Sequence, residues 1–172
     1  MMTQRQPTLY HSFFSFTYLV CRIINAVLCR EESVQIWGER KQFEDLGVRL
    51  VCLLHEWRDK EVQAYHPAYW GGELYYDEEK AFHAAVHGGK VRKGNVVDLL
   101  NPFSQAWKNM RRAKASNTVQ ESNLVGDGLT MGGVMVFAKG GKLMYAYPEK
   151  TFGDHAPMSE LLSKAKEAAE TK

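Results

Sequence analysis

The chain has 172 residues, 22 basic and 20 acidic, for a formal net charge of +2, and 45 % of it is hydrophobic. That length suits one domain of about 100–200 residues, with a core large enough to need no staples. The near-balanced charge argues against a dedicated nucleic-acid or anionic-membrane binder. The three cysteines, Cys21, Cys29 and Cys52, show neither a CxxC pair nor zinc-ligand spacing, so they exclude a secreted disulfide framework and point to a reducing, cytoplasmic setting.

Residues 1–12 read as a flexible tail and 13–172 as one domain. From Phe13 to Cys29 the chain runs FFSFTYLVCRIINAVLC. This is short for a membrane span of about 20 apolar residues, and Arg22 falls near its middle, so stable insertion is not expected. A secretory leader (Arg5 ahead of an apolar run, Ala26 small) and a membrane tether are the competing readings. A buried strand followed by a turn is preferred.

Phe16–Ile24 is the first predicted strand, rich in β-branched and aromatic residues. A helix over Arg30–Leu46 follows, with Glu31 and Glu32 in its first turn, where carboxylates suit the helix dipole, and Gly47 at its end. Val48–Leu54 is a short, nearly continuous apolar run, the pattern of a strand buried on both faces. Strand, helix, strand in this order implies a parallel βαβ unit. Cys52, inside the second strand, reads as a small buried hydrophobe.

A short helix is expected over Asp59–Tyr65, closed by His66-Pro67, then a strand over Glu73–Tyr76. Asp77 can cap a helix running to about Val86, with Phe82, Ala85 and Val86 on one face. Residues 88–95 form a basic, glycine-containing loop. Asn101-Pro102 is predicted to start the next helix, with Phe103, Ala106, Trp107 and Met110 as its apolar stripe and Arg111, Arg112 and Lys114 at its negative end. Residues 115–128 read as a loop, with Gly126-Asp127-Gly128 as a turn. Val134–Ala138 and Leu143–Tyr147 form a hairpin across Lys139–Lys142. The last helix begins in Asp154–Pro157 and carries Leu161, Leu162, Ala165, Ala168 and Ala169. The order βαβ, then βα with a helical insert, then ββα, is the thioredoxin-type α/β arrangement: a central mixed sheet flanked by helices.

Cys29 is the residue on which any chemistry would turn. It stands where a helix begins after a strand. Unpaired backbone N–H groups and the positive dipole end stabilise a thiolate there, and the thiolate is the nucleophile. Arg30 adds support if its side chain turns inward, while Glu31 and Glu32 oppose it unless they face solvent. Ordinary packing of a helix-start cysteine is the competing reading. His55, His66, His83 and His87 are scattered and read as surface or capped histidines. The aromatic residues of AYHPAYWGGELYY read mostly as core, with an apolar lipid groove as the alternative.

Several stretches together resemble the peroxiredoxin-like 2 family of the thioredoxin-like superfamily, which includes prostamide/prostaglandin F synthase. They are LCREES (28–33), LGVRLVCLLHE (46–56), EVQAYHPAYWGGELYYDEEKAFH (61–83), FSQAWKNMRRA (103–113), GDGLTMGGVMVF (126–137) and EKTFGD (149–154). The resemblance covers about residues 27–170. It implies a thioredoxin-like fold with no bound cofactor. It further implies thiol-dependent reduction of a peroxide or a prostaglandin-type lipid endoperoxide, with electrons drawn from thioredoxin and NADPH or from glutathione. Cys29 matches the second cysteine of the family's CxxC motif, and the first falls at Ala26, so this chain reads AVLC. The resolving thiol must then come from elsewhere: Cys21 or an external thiol. Ala26 also occupies the place of the hydroxyl residue three positions before a peroxiredoxin's reactive cysteine.

Residues 1–25 do not resemble the family's longer N-terminal portion, so the N-terminal part is atypical or truncated, and an alternative or mispredicted first exon is expected to encode residues 1–26. Where thioredoxins carry a cis-proline, this chain has Met131-Gly132-Gly133. Glycine there allows either close substrate approach or a tight start to the strand. The alternative function is a redox-inactive interaction or regulatory protein on the same fold.

Overall fold

The computed structural model describes residues 27–117 and 126–171, and the backbone course of residues 15–21. The expected tail 1–12, the residue Ala26 and most of the 115–128 loop lie outside these. In chain order the elements are β1 (Ser15–Cys21), α1 (Val27–Gly38), α2 (Arg40–Asp45), β2 (Val48–Leu54), α3 (Asp59–Tyr65), β3 (Glu73–Tyr76), α4 (Ala81–Val86), α5 (Val96–Leu100), α6 (Gln105–Ala115), β4 (Gly133–Phe137), β5 (Leu143–Pro148) and α7 (Met158–Glu170).

The strands form one five-stranded sheet in the order β3-β2-β1-β4-β5. β1 is central, parallel to β2 with Ser15 opposite Val48, and antiparallel to β4 with Val20 opposite Gly133. β3 adds parallel to β2, and β5 antiparallel to β4. The sheet is therefore mixed, and it is the thioredoxin-like arrangement expected from the βαβ and ββα halves.

Alternation along the buried strand β2 explains the layers. Cys52 and Leu54 face one side, packing with Ile36 of α1, Phe43 of α2 and Leu161, Ala165 and Ala168 of α7. Val51 and Leu53 face the other, with Met135 and Val86. A third cluster joins Leu28, Ala106, Ala113, Met131 and Phe152. Each large apolar side chain so buried contributes about 1.5–3 kcal/mol. Among the described residues, no helix is long and apolar enough to cross a membrane.

Several expectations are corrected. The helix expected over Arg30–Leu46 starts at Val27, because Leu28 is anchored in the third cluster. It breaks at Glu39, just beyond Gly38, where Arg40 Nη1 donates to the Trp37 carbonyl. Gly47, at φ +71°, ends α2 as expected. Of the predicted first strand, β1 covers residues up to Cys21, and Arg22–Ile24 lie outside the described residues.

Asp77 does cap α4: its Oδ2 accepts from the backbone N–H groups of Phe82 and His83. The inward face of that helix is His83 and Val86, while Ala85 is exposed. Residues Val96–Leu100, which the sequence reading leaves unassigned, form a helix. The next helix starts at Ser104, whose Oγ accepts from Trp107 N, rather than at Asn101-Pro102. This shifts the buried stripe to Ala106, Asn109 and Ala113 and leaves Phe103 on the surface.

Candidate active site

Cys29 lies in the first turn of α1, the helix that follows the central strand β1 in the chain. It is the third residue of α1, one turn further into the helix than the sequence implied. The residue is 7 % exposed. Neither Cys29 nor Cys52 is in a disulfide. Ser33, one turn on, donates its hydroxyl to the Cys29 carbonyl at 2.7 Å and shares a 2.6 Å hydrogen bond with the Tyr65 hydroxyl. The same Tyr65 oxygen is 3.5 Å from Cys52 Sγ. Cys52 is thus core, as expected, but tied through two hydroxyls to the helix that carries Cys29.

Arg30 turns inward. It is buried, and its guanidinium carbon lies 4.5 Å over the Tyr69 ring. A cation above an aromatic face is partly compensated for lost hydration. Glu31 does not face solvent and is not in the first turn. Its buried carboxylate receives Arg112 of α6 through Nε at 3.3 Å and Nη2 at 2.9 Å. The pairing answers the expected conflict between this carboxylate and a nearby thiolate, since Arg112 offsets its charge.

The stretch EKTFGD supplies the floor. Glu149 is buried, and its two oxygens accept from Gly132 N at 3.1 Å and Gly153 N at 2.7 Å. One carboxylate so holds together the strand-start loop and the loop beneath α1. His155 Nε2–H donates to the Leu28 carbonyl at 3.2 Å, which leaves Nδ1 to accept from Arg112 Nη2 at 3.4 Å. Phe152 packs on Leu28 in the third core cluster. Of the two readings left open for the glycines at 132–133, packing favours the tight strand start. Gly133 sits at φ +154°, and a Cβ there would overlap the Tyr147 carbonyl and crowd Val86.

The histidines divide. His83 is buried, with Nδ1 2.7 Å from Asp77 Oδ2, and packs edge-on to the buried His55 at 4.9 Å between centroids. His55 is therefore not a surface residue, because it directly follows the buried strand β2. His87 is partly buried, and burial with the Arg92 charge lowers its pKa against the pull of the Met131 and Gly132 carbonyls. Asp127 closes its turn by accepting from Thr130 Oγ1 at 2.7 Å, Lys80 Nζ at 3.0 Å and the Leu129 N–H at 3.2 Å. Tyr65 and Trp70 are core, and Tyr69, Tyr75 and Tyr76 are partly buried. Cys21 ends β1 opposite Leu54, and its side chain, like Ala26, lies outside the described residues.

Sequence reasoning missed Ser33, Tyr65, Arg112, Glu149 and His155 as parts of the site. Their local patterns are ordinary; Ser33 lies on α1 itself, and only the fold brings the other four to that helix.

A family model described as AhpC/TSA antioxidant enzyme matches residues 35–151. The chain belongs to the AhpC/TSA antioxidant enzyme family. The matched stretch starts beyond Cys29; of the supporting residues it includes Tyr65, Arg112 and Glu149 but not Arg30, Glu31, Ser33 or His155. Within curated relatives, peroxiredoxin-like 2A of Danio rerio is 31 % identical over 140 residues, 81 % of this chain and 62 % of the relative. The Homo sapiens peroxiredoxin-like 2A is 32 % identical over 140 residues, 81 % of this chain and 57 % of the relative. The chain spans about three-fifths of the length of the curated relatives it matches. Among solved structures, peroxiredoxin Q of Xanthomonas campestris superimposes with a TM-score of 0.59 at 11 % identity, over 93 % of this chain and 82 % of that one. A peroxiredoxin 6 of Arenicola marina gives 0.54 at 16 % identity, over 91 % of this chain and 61 % of that one. Both likenesses concern the fold. The resemblance read from the sequence is thereby borne out for family and architecture.

Proposed function

We propose that this protein is a thiol-dependent peroxide reductase acting through Cys29. The observation that carries the reading is the position of Cys29 in the first turn of α1, directly after the central strand, in a chain of an antioxidant family. At that place the helix-end N–H groups and dipole favour the thiolate. The buried Arg30 adds positive potential, and Arg112 offsets the nearby Glu31 carboxylate.

The Cys29 thiolate attacks one peroxide oxygen. An S–O bond forms, the O–O bond breaks, and the leaving alkoxide takes a proton to become an alcohol, or water when the substrate is hydrogen peroxide. From a hydroperoxide Cys29 becomes a sulfenic acid, and a thiol condenses with it, releasing water and forming a mixed disulfide. From an endoperoxide the S–O bond is a sulfenate ester, and the incoming thiol displaces the second lipid hydroxyl to give the same mixed disulfide; a further thiol restores Cys29. With Ala26 in the place of the first CxxC cysteine, the resolving thiol comes from thioredoxin, glutathione or Cys21. A lipid hydroperoxide or endoperoxide is the substrate class implied by the family resemblance, and a reducing, cytoplasmic setting supplies the electrons.

The test is a peroxide titration near neutral pH, with cysteine oxidation followed by mass spectrometry and Cys29→Ser as control. Sulfenic acid at Cys29 well before any oxidation of Cys52 is the expected result. If Cys29 reacts no faster than a thiol of pKa about 8.5, the second reading holds. That reading, a redox-inactive interaction or regulatory protein, is favoured by one feature, the alanine at position 26.

A further inference from the structure

The whole-chain charge of +2 conceals a strongly uneven distribution. Residues 90–114 carry seven basic side chains against one acid, Asp98, so the rest of the chain is net negative. Arg112 is engaged with Glu31. Lys90, Arg92, Lys93, Lys108, Arg111 and Lys114 are exposed. On α6 the last three fall away from the buried stripe of Ala106, Asn109 and Ala113.

The same segment presents apolar surface. Among the described residues, five of the six exposed large hydrophobic side chains are Val91, Val96, Val97, Leu100 and Phe103. Leu100 is 76 % and Phe103 85 % exposed. Helix α5 buries none of its residues. Val96 and Leu100 are one helical turn apart and so share a face. Isolated exposed apolar residues need no explanation, but a run of them concentrated within one basic segment does.

We propose that this segment docks the protein reversibly on an anionic lipid bilayer. Val96, Val97, Leu100 and Phe103 enter the boundary between headgroups and acyl chains, and the surrounding lysines and arginines face the headgroup anions. Charge complementarity selects this occupant. A second copy of the chain would bring two basic rims together. Of the four apolar side chains only Phe103 could stack on a base, and Val96, Val97 and Leu100 offer a nucleic acid neither stacking nor hydrogen bonds. The attachment is interfacial, so it is compatible with the absence, among the described residues, of a helix long enough to span a membrane. It does not depend on Cys29.

The test is co-sedimentation of the full chain with phosphatidylcholine vesicles, with and without about one-third phosphatidylserine. Binding is expected only to the anionic vesicles and should weaken as salt rises. Leu100→Asn with Phe103→Ser, and separately Lys108→Glu with Arg111→Glu, should each weaken binding by about tenfold or more. All four positions are exposed, and circular dichroism checks that the variants fold. No preference for anionic vesicles would overturn the proposal, as would undiminished binding of the Leu100/Phe103 variant. A dimer in sedimentation velocity that this variant dissociates, without vesicle binding, would show a protein interface instead. Oligonucleotide binding that survives the same substitutions, without vesicle binding, would show a nucleic-acid surface.

Discussion

Arg112 of α6 grips both carboxylate oxygens of Glu31, 81 residues earlier on α1, at 3.3 and 2.9 Å. The partners are unequally desolvated: the Glu31 side chain is 2 % exposed and that of Arg112 46 %. Solvent screens the arginine end, yet removing it would strand a carboxylate inside the protein. Arg112→Met is expected to cost about 2–3 kcal/mol in urea unfolding. Adding Glu31→Gln should recover part of the loss, because no buried charge then remains. Equal losses for the single and double variants would show that the pair acts by packing alone.

Glu149 is the second cross-brace, since one carboxylate serves two backbone N–H groups in separate loops. Glu149→Ala should cost about 2–3 kcal/mol, the scale for orphaning buried donors. Amide hydrogen exchange at Gly132 and Gly153 should accelerate together. Acceleration at only one of them would mean that the loops are held independently.

Asp127 makes stability depend on acid pH. Burial pushes its pKa up, but the Thr130 hydroxyl, the Lys80 ammonium and the Leu129 N–H outweigh this and hold the carboxyl well below its ordinary value. A carboxyl depressed in the folded state contributes stability above its unfolded pKa of about 3.9, and that contribution is lost as pH falls toward the folded value. Asp127→Asn should therefore cost about 1–2 kcal/mol at neutral pH. The gap between variant and parent should close below pH about 4. Thermal melts of both proteins across that range are the check.

His87 acts in a higher window. Burial and the Arg92 charge lower its pKa from 6.5. The unfolded chain then takes up the proton first, so stability falls as pH drops below about 6.5. His87→Gln should flatten the pH dependence of the melting temperature between mildly acidic and neutral pH. An unchanged slope would place the titration on another group.

The expectations that succeeded rest on short-range rules. Val48–Leu54 was legible because a run of apolar residues of strand length admits little else, and Asp77 because a carboxylate before an apolar stretch satisfies orphan N–H groups. The failures are competitions between neighbours. Asn101-Pro102 and Ser104 are both good helix starts, and only the demand that Ala106, Asn109 and Ala113 face the core selects Ser104. Val96–Leu100 buries nothing, so no periodic burial signal marked it as a helix.

Cys29 was legible as the candidate nucleophile because strand-then-helix patterning is local and the electrostatics of a helix start follow from it. By itself the sequence determined the order of most of the elements, the family resemblance and the candidate nucleophile. Tertiary structure alone decided what surrounds that residue. Glu31 became a buried, paired charge, Tyr65 a link between α1 and β2, and Glu149 a brace beneath the helix. These partners are separated by tens of residues, and the energy that pairs them comes from excluding water, which no local pattern of residues records.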